Sequence, residues 1–258
     1  MTDLSKGPQL SVQLFTLRTL PDIDAILAAV AGAGYTHVEL IGSHLEQAKD
    51  IAAKLADHNL KASSSHVSMA ALRADPDKIL DACRQLQFTD LYMPSVPAEE
   101  RQSPAEYWRS LGAELAVLAD RFLKEGIRLG YHNHNWELEL KDENRTALDV
   151  LFEAAGKSPL TWQADIAWIV RGGADPRTLL PRYRDRITAA HVKDLAPAGE
   201  NTEEAGWADV GHGVLDWRSL WDLCVENGAR WMVVEHDKPL DPVRSVTRSF
   251  NSIKQIWA

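Results

Sequence analysis

A (β/α)8 barrel is the fold class this sequence predicts, and three observations carry that reading. Eight short β-type runs alternate with longer segments of helical period along the whole chain. The length of 258 residues matches the roughly 250 typical of one such barrel. No glycine-rich phosphate loop follows any of the runs, as a nucleotide-binding open sheet would require.

The strand runs are LSVQLF (10–15), HVELI (37–41), KASSSHV (61–67), DLYMPSV (90–96), IRLGYHN (127–133), LTWQAD (160–165), RITAAHV (186–192) and RWMVVEH (230–236). Between them, apolar residues recur at the i, i+3, i+4, i+7 spacing that gives a helix one buried stripe. Ile23, Ile26, Leu27 and Val30 form the first stripe, and Trp108, Leu111, Leu115, Leu118 and Phe122 form another. Val243, Val246, Phe250 and Ile253 form the last, after Pro242 in a first-turn position where a missing N–H costs nothing. Proline and glycine are scattered between the elements and not pooled in one linker, so residues 1–258 are expected to form a single barrel domain.

Composition narrows the function. A chain with 45% hydrophobic and 25% charged residues can bury a large core. Its net charge of -9 opposes nucleic acid or an anionic membrane as partner, because both need a basic footprint. Cys83 and Cys224 fall within helical segments with no C-x-x-C spacing, which speaks against a disulfide framework or a zinc-thiolate centre. The opening stretch MTDLSKGPQL lacks an apolar core, and no run reaches a membrane span. A cytoplasmic protein is expected. Trp207 is read as exposed, available to a homo-oligomer interface or to a pocket lid.

In such barrels the active site lies at the C-terminal ends of the strands. Those ends carry Glu39, His66, His132 and His134, Asp165, His191 with Lys193, and Glu235 followed by His236 and Asp237. Side chains alternate along a strand, so Gly130, His132 and His134 share a face, as do Ala189, His191 and Lys193. Small residues below and long polar groups above make a pocket. Asp165, His191 and Glu235 end three successive strands, an arrangement suited to one divalent cation. Imidazole and carboxylate without thiolate fit Mn²⁺ first, with Mg²⁺, Co²⁺ or Zn²⁺ as alternatives.

These segments resemble the xylose isomerase-like TIM-barrel superfamily, in particular its sugar phosphate isomerase/epimerase group. The resemblance runs through VQLFTLR, GYTHVELIG, LGYHNHNWE, ADIAWIVRGGADP, RITAAHVKDL, VGHGVLDW and VVEHDKPLDP. It implies a metal held by a glutamate ending strand five, an aspartate ending strand six, a histidine ending strand seven and a glutamate ending strand eight. The last three correspond to Asp165, His191 and Glu235. In the first slot this chain has His132, so the fourth ligand is His132 or, reaching back from the next loop, Glu137, with His132 preferred. The group's ketose epimerases pair a strand-five glutamate with the strand-eight glutamate, and that pairing is lost here. Trp168 stands where those enzymes tend to have histidine, suggesting stacking on a sugar ring, and His212 stands where relatives often have glutamate.

The resulting expectation is a metal-dependent isomerase or epimerase acting through an enediolate on a sugar, keto-sugar or cyclitol. Glu235, His134, Glu137 and His66 are its acid/base candidates. Glu39, Trp168, Lys193, His212 and Asp237 are its substrate-contacting candidates. The runner-up is a lyase or dehydratase acting on a keto-inositol or 3-keto-sugar, since one enediolate serves both outcomes. A sugar-binding barrel without catalysis is a third reading, and an apurinic-site nuclease is opposed by the acidic balance. No arginine cluster or P-loop awaits a phosphate, which favours an unphosphorylated, polyhydroxylated substrate.

Overall fold

The computed structural model describes residues 8–142 and 144–256, so most of MTDLSKGPQL lies outside the described residues. Its barrel strands are β1 (Gln9–Gln13), β2 (His37–Leu40), β3 (Lys61–His66), β4 (Asp90–Met93), β5 (Arg128–His132), β6 (Thr161–Asp165), β7 (Ile187–Val192) and β8 (Trp231–Val234). They pair in parallel, each with its sequence neighbours, and β1 pairs β8 to close the ring. All eight expected runs are therefore strands; six are trimmed at their C-terminal ends, and LTWQAD and RITAAHV lose only their first residue. LSVQLF, for example, stops at Gln13, where a 3-10 turn over Leu14–Leu17 takes up the chain.

Alternation divides each strand between two environments. Val12, Val38, Leu91, Leu129, Trp162 and Met232 belong to the apolar layer beneath the helices. The opposite set is polar: Ser11 and Ser63 hydroxyls meet at 2.7 Å, and Gln13, Glu39 and Gln163 are fully buried. At the N-terminal end of the ring, Asp90 accepts from Arg128 at 2.8 and 2.6 Å and from Arg230 at 3.1 Å. That ion cluster closes the face of the barrel associated with stability.

The expected helix stripes are buried. Helix α1 (Ile23–Ala33) buries Ile26, Leu27 and Val30; its N-terminus is capped by Asp22, which accepts from the Ala25 amide at 2.8 Å. It ends at Gly34, whose φ of 105° strains any other residue, and a Cβ there would lie 2.7 Å from the Phe250 ring. The helix Ala105–Lys124 buries Trp108, Leu111, Leu115 and Phe122. The last helix starts at Pro242 as expected and buries Val246 and Ile253, but Val243 is exposed because Pro242 takes the inward place in that turn. Cys83 and Cys224 are free, buried and helical.

Among the described residues, two antiparallel ribbons lie outside the barrel, Leu140–Asp142 with Arg145–Thr146, and Asp194–Leu195 with Trp207–Ala208. The second corrects the reading of Trp207 as exposed. Its ring is buried, edge-on to Trp168 at 4.8 Å, with the Arg171 guanidinium 3.6 Å above it. Among the described residues, no helix is long and apolar enough to cross a membrane.

Candidate metal centre and active site

Strand register brings the strand-end residues together. Asp165 lies opposite His191, and Val233 also lies opposite His191, which sets Glu235 one inward step above it. One ligand atom from each of Asp165, His191 and Glu235 falls within 4.8 Å of the other two. His132 Nε2 is 3.7 Å from Asp165 Oδ2, and His191 Nδ1 is 3.8 Å from the same oxygen. These four side chains are buried. Among the described residues, none donates a hydrogen bond to Asp165 Oδ2, although the Lys193 ammonium stands 3.0 Å away. The burial cost of this carboxylate oxygen is met by charge, here the Lys193 ammonium, and not by a hydrogen bond. With imidazole nitrogens turned toward it, that oxygen fits a cation site, and the donor set of two imidazoles and two carboxylates suits a borderline or hard divalent ion.

A second tier of side chains orients these groups. Gln163 Oε1 is 2.9 Å from His132 Nδ1, an arrangement that places the proton on Nδ1 and leaves the Nε2 lone pair toward Asp165. Asn133 locks the ends of β5 and β6, accepting from the Asp165 amide and the Trp162 indole at 3.0 Å each. Glu39 is the hub. Its oxygens take Gln13 at 2.8 Å, Ser64 at 2.6 Å, Gln163 at 2.5 Å and His191 at 2.7 Å, with His66 at 3.1 Å. Register explains this, since Gln13 and Ser64 both lie opposite Glu39, the latter through a β-bulge at Val38 and Glu39.

Charge follows from this geometry. Burial disfavours the His191 imidazolium, but Glu39 and Glu235 on its two nitrogens outweigh it and hold the pKa up to about 10. Burial likewise opposes the Lys193 charge, and Asp165, Asp237 and Glu235 overcome it, keeping the ammonium charged. Glu235 stays ionised because Lys193 and His191 outweigh its desolvation. Burial pushes Asp237 up to about 6 despite Lys193 at 2.9 Å. His132 and His134 are held well below the usual imidazole range, first by burial and then by neighbouring cations, so both are neutral.

A cavity of about 770 Å³ opens above the centre. Its polar end is formed by His66, His132, His134, Glu235 and Asp237. The other expected residues sit elsewhere. Glu39 is fully buried and saturated by protein donors, which makes it a support beneath the cavity and not a substrate contact. Glu137 points away; its carboxylate accepts from the Tyr131 hydroxyl at 2.6 Å and the His134 amide at 2.7 Å, so it does not reach back as a fourth ligand. His66 lines the cavity, but its nitrogens are engaged by Gln163 at 2.8 Å and Gln13 at 3.4 Å, which argues against a free base. Trp168 is half-buried outside the cavity lining, packed against Trp207 and 5.3 Å from His134 beside the polar end. His212 is exposed and held by Arg248 at 2.9 Å and Ser252 at 3.2 Å on the last helix, away from the cavity lining. Lys193 pairs with Glu235, Asp165 and Asp237, whereas Asp194 turns to the amides of Leu195, Gly211, Gly213 and Leu215.

Residues 27–256 match the family model described as xylose isomerase-like TIM barrel. The chain belongs to that family. An inosose dehydratase of Lacticaseibacillus casei is 26% identical over 151 residues, covering 54% of this chain and 49% of the relative. The chain thus matches about half the length of that curated relative. Among solved structures, a sugar phosphate isomerase/epimerase from Parabacteroides distasonis superposes with a TM-score of 0.77 at 20% identity, over 98% of this chain and 96% of that one. The IolI protein, crystallised with a zinc atom, gives 0.69 at 14% identity over 96% and 97%. These likenesses are of fold.

Proposed function

We propose that this protein is a divalent-metal-dependent lyase that removes the proton next to a carbonyl of a keto-inositol or keto-sugar and expels a β-oxygen. The observation that carries this reading is the asymmetry of the cavity's polar end. Carboxylates, Glu235 and Asp237, stand on the β8 side, imidazoles, His132 and His134, on the β5 side, and Glu137 is committed to Tyr131. Epimerisation is best served by two matched acid/base groups on opposite faces of one carbon, which Glu137 would have had to complete. Elimination has two different tasks and suits an unlike pair.

His132, Asp165, His191 and Glu235 would hold the cation, with Mn²⁺ the first choice for this donor set and Zn²⁺ or Co²⁺ close behind. When bound, it would supply Lewis acidity toward the substrate's carbonyl and neighbouring hydroxyl oxygens. The neutral His134 imidazole accepts the carbon-bound proton. Asp237, whose carboxyl sits near neutrality, returns a proton to the departing hydroxyl, which leaves as water. Lys193 holds Asp237 and Glu235 in place and balances their charge. The relatives support this reading in kind, since one is named a dehydratase of an inosose.

Incubating the Mn²⁺-supplied protein with keto-inositols and 3-keto-sugars in D₂O, followed by NMR, tests the proposal. Loss of water is expected, with deuterium entering the former β carbon as the enol product ketonises, since the α carbon keeps no proton after elimination. Deuterium entry or inversion without any loss of water would assign isomerisation instead. Absence of both water loss and deuterium entry across the panel would end the enolisation reading altogether.

A further inference from the structure

The cavity has a second end that the proposed chemistry does not use. Away from the histidines and carboxylates it runs between the turn Gly42–Leu45 and the helices Met69–Ala74 and Pro76–Leu86, with walls of Phe15, Ile41, Leu45, Val67, Ala71 and Ile79. Exposed polar groups, Ser43, Glu46, Ser68, Asp75 and Lys78, also border it. Phe15 is 38% exposed, and the Arg18 guanidinium covers its ring at 3.8 Å, fixing its orientation. Such an apolar concavity continuous with a polar site is where an apolar part of a ligand gains most from leaving water.

Size points the same way. At ~30 Å³ of liquid volume per water, the about twelve heavy atoms of a six-carbon polyol account for less than half of a 770 Å³ cavity. A bare cyclitol or hexose seated on the polar end leaves the apolar end empty of contacts. We infer that the substrate carries an apolar substituent, an aryl or alkyl group linked to its ring, and that Phe15, Ile41, Leu45, Ala71 and Ile79 form the subsite that receives it. The subsite rests on the proposed function only in placing the polyhydroxylated ring at the histidine end. The substituent is then directed outward along the lobe toward Lys78 and Asp75. When it is joined through the β-oxygen, that oxygen departs with the substituent attached, taking the proton that would otherwise leave with water.

Calorimetric titration with methyl and phenyl β-D-glucoside, neither of which is a ketone, reads the subsite apart from the chemistry. Phenyl β-D-glucoside is expected to bind about tenfold tighter or more, the scale set by burying one ring. Ala71→Phe, which fills the lobe, and Phe15→Ser, which removes an exposed wall without touching the core, should each bring the ratio near unity. A ratio within twofold for the unaltered protein, or one that survives both substitutions, overturns the inference. Loss of water from an unsubstituted keto-inositol answers the lyase question separately, so an aryl preference without water loss would leave the subsite standing and remove the lyase.

Discussion

Lys193 Nζ stands 2.6 Å from Glu235 Oε2 and 3.0 Å from Asp165 Oδ2, so the barrel places its own cation between two carboxylates that a divalent ion would share. Lys193 is 1% exposed and also reaches Asp237 at 2.9 Å. An ammonium in that position relieves the mutual repulsion of the acids when no metal is there. Binding of a divalent ion then requires Lys193 to withdraw toward Asp237, and the two cations compete for the same oxygens.

Replacing Lys193 by methionine should therefore raise Mn²⁺ affinity about tenfold or more, since the like charge beside the ion is gone. The metal-free protein should lose about 3–5 kcal/mol, because buried carboxylates are left without a partner. Mn²⁺ titration followed by electron paramagnetic resonance reads the first effect and urea denaturation the second. Unchanged Mn²⁺ affinity in a folded Lys193→Met protein would mean that the ion and the ammonium do not meet.

Gly112 offers a packing test far from the cavity. A Cβ there would lie 2.2 Å from the Leu151 carbonyl oxygen, so the helices Ala105–Lys124 and Ala147–Ala155 cross in contact only because position 112 has no side chain. Gly112→Ala gains helix propensity of about 1 kcal/mol but must push the backbone of the neighbouring helix aside. We expect a net loss of about 1–3 kcal/mol, read as a lower urea midpoint. A gain in stability would show that the two helices separate freely.

The eightfold alternation and the strand-end rule made Asp165, His191 and Glu235 legible, because a ligand at a strand terminus depends only on the strand's own parity. Gln163 and Gln13 were not found, though the signal was present: each shares its strand's inward parity with a neighbouring polar residue, Asp165 and Ser11 respectively. Residues in loops depart from expectation for a different reason. His212 is turned by Arg248 and Ser252, which lie 36 and 40 positions later, and Glu137 by a tyrosine on the outward face of β5. Local pattern carries no information about such partners.

Glu137 sets a pH dependence of stability. Burial, partly offset by the Tyr131 hydroxyl and nearby amides, raises its carboxyl from 4.5 to about 7. The folded state thus binds this proton more tightly than the unfolded chain does. Its contribution is complete below pH 4.5 and disappears as pH rises through 7, up to on the order of 3 kcal/mol in all. Gln at this position keeps the acceptor for the His134 amide, donates to Tyr131 and does not titrate. Glu137→Gln should flatten the stability profile between pH 4.5 and 7, measured by urea denaturation at several pH values. An identical profile in the variant would place the titration elsewhere.

Glu39 should govern the metal site without touching the metal. It accepts from His191 Nε2 at 2.7 Å, so the imidazole is turned with Nδ1 toward Glu235 and Asp165, and the negative charge behind the ring strengthens Nδ1 as a donor. Gln at position 39 retains the shape but removes the charge, and one of the Gln13, Ser64 and Gln163 donors is left facing an amide N–H. Mn²⁺ affinity is expected to fall about 10–100-fold, with the fold weakened by about 3 kcal/mol from the disrupted buried network. Because lost stability alone would not weaken binding to protein that remains folded, the two readouts separate positioning from packing. A folded Glu39→Gln protein that binds Mn²⁺ as tightly as the original would reduce Glu39 to a packing residue and leave His191 oriented by β7 alone.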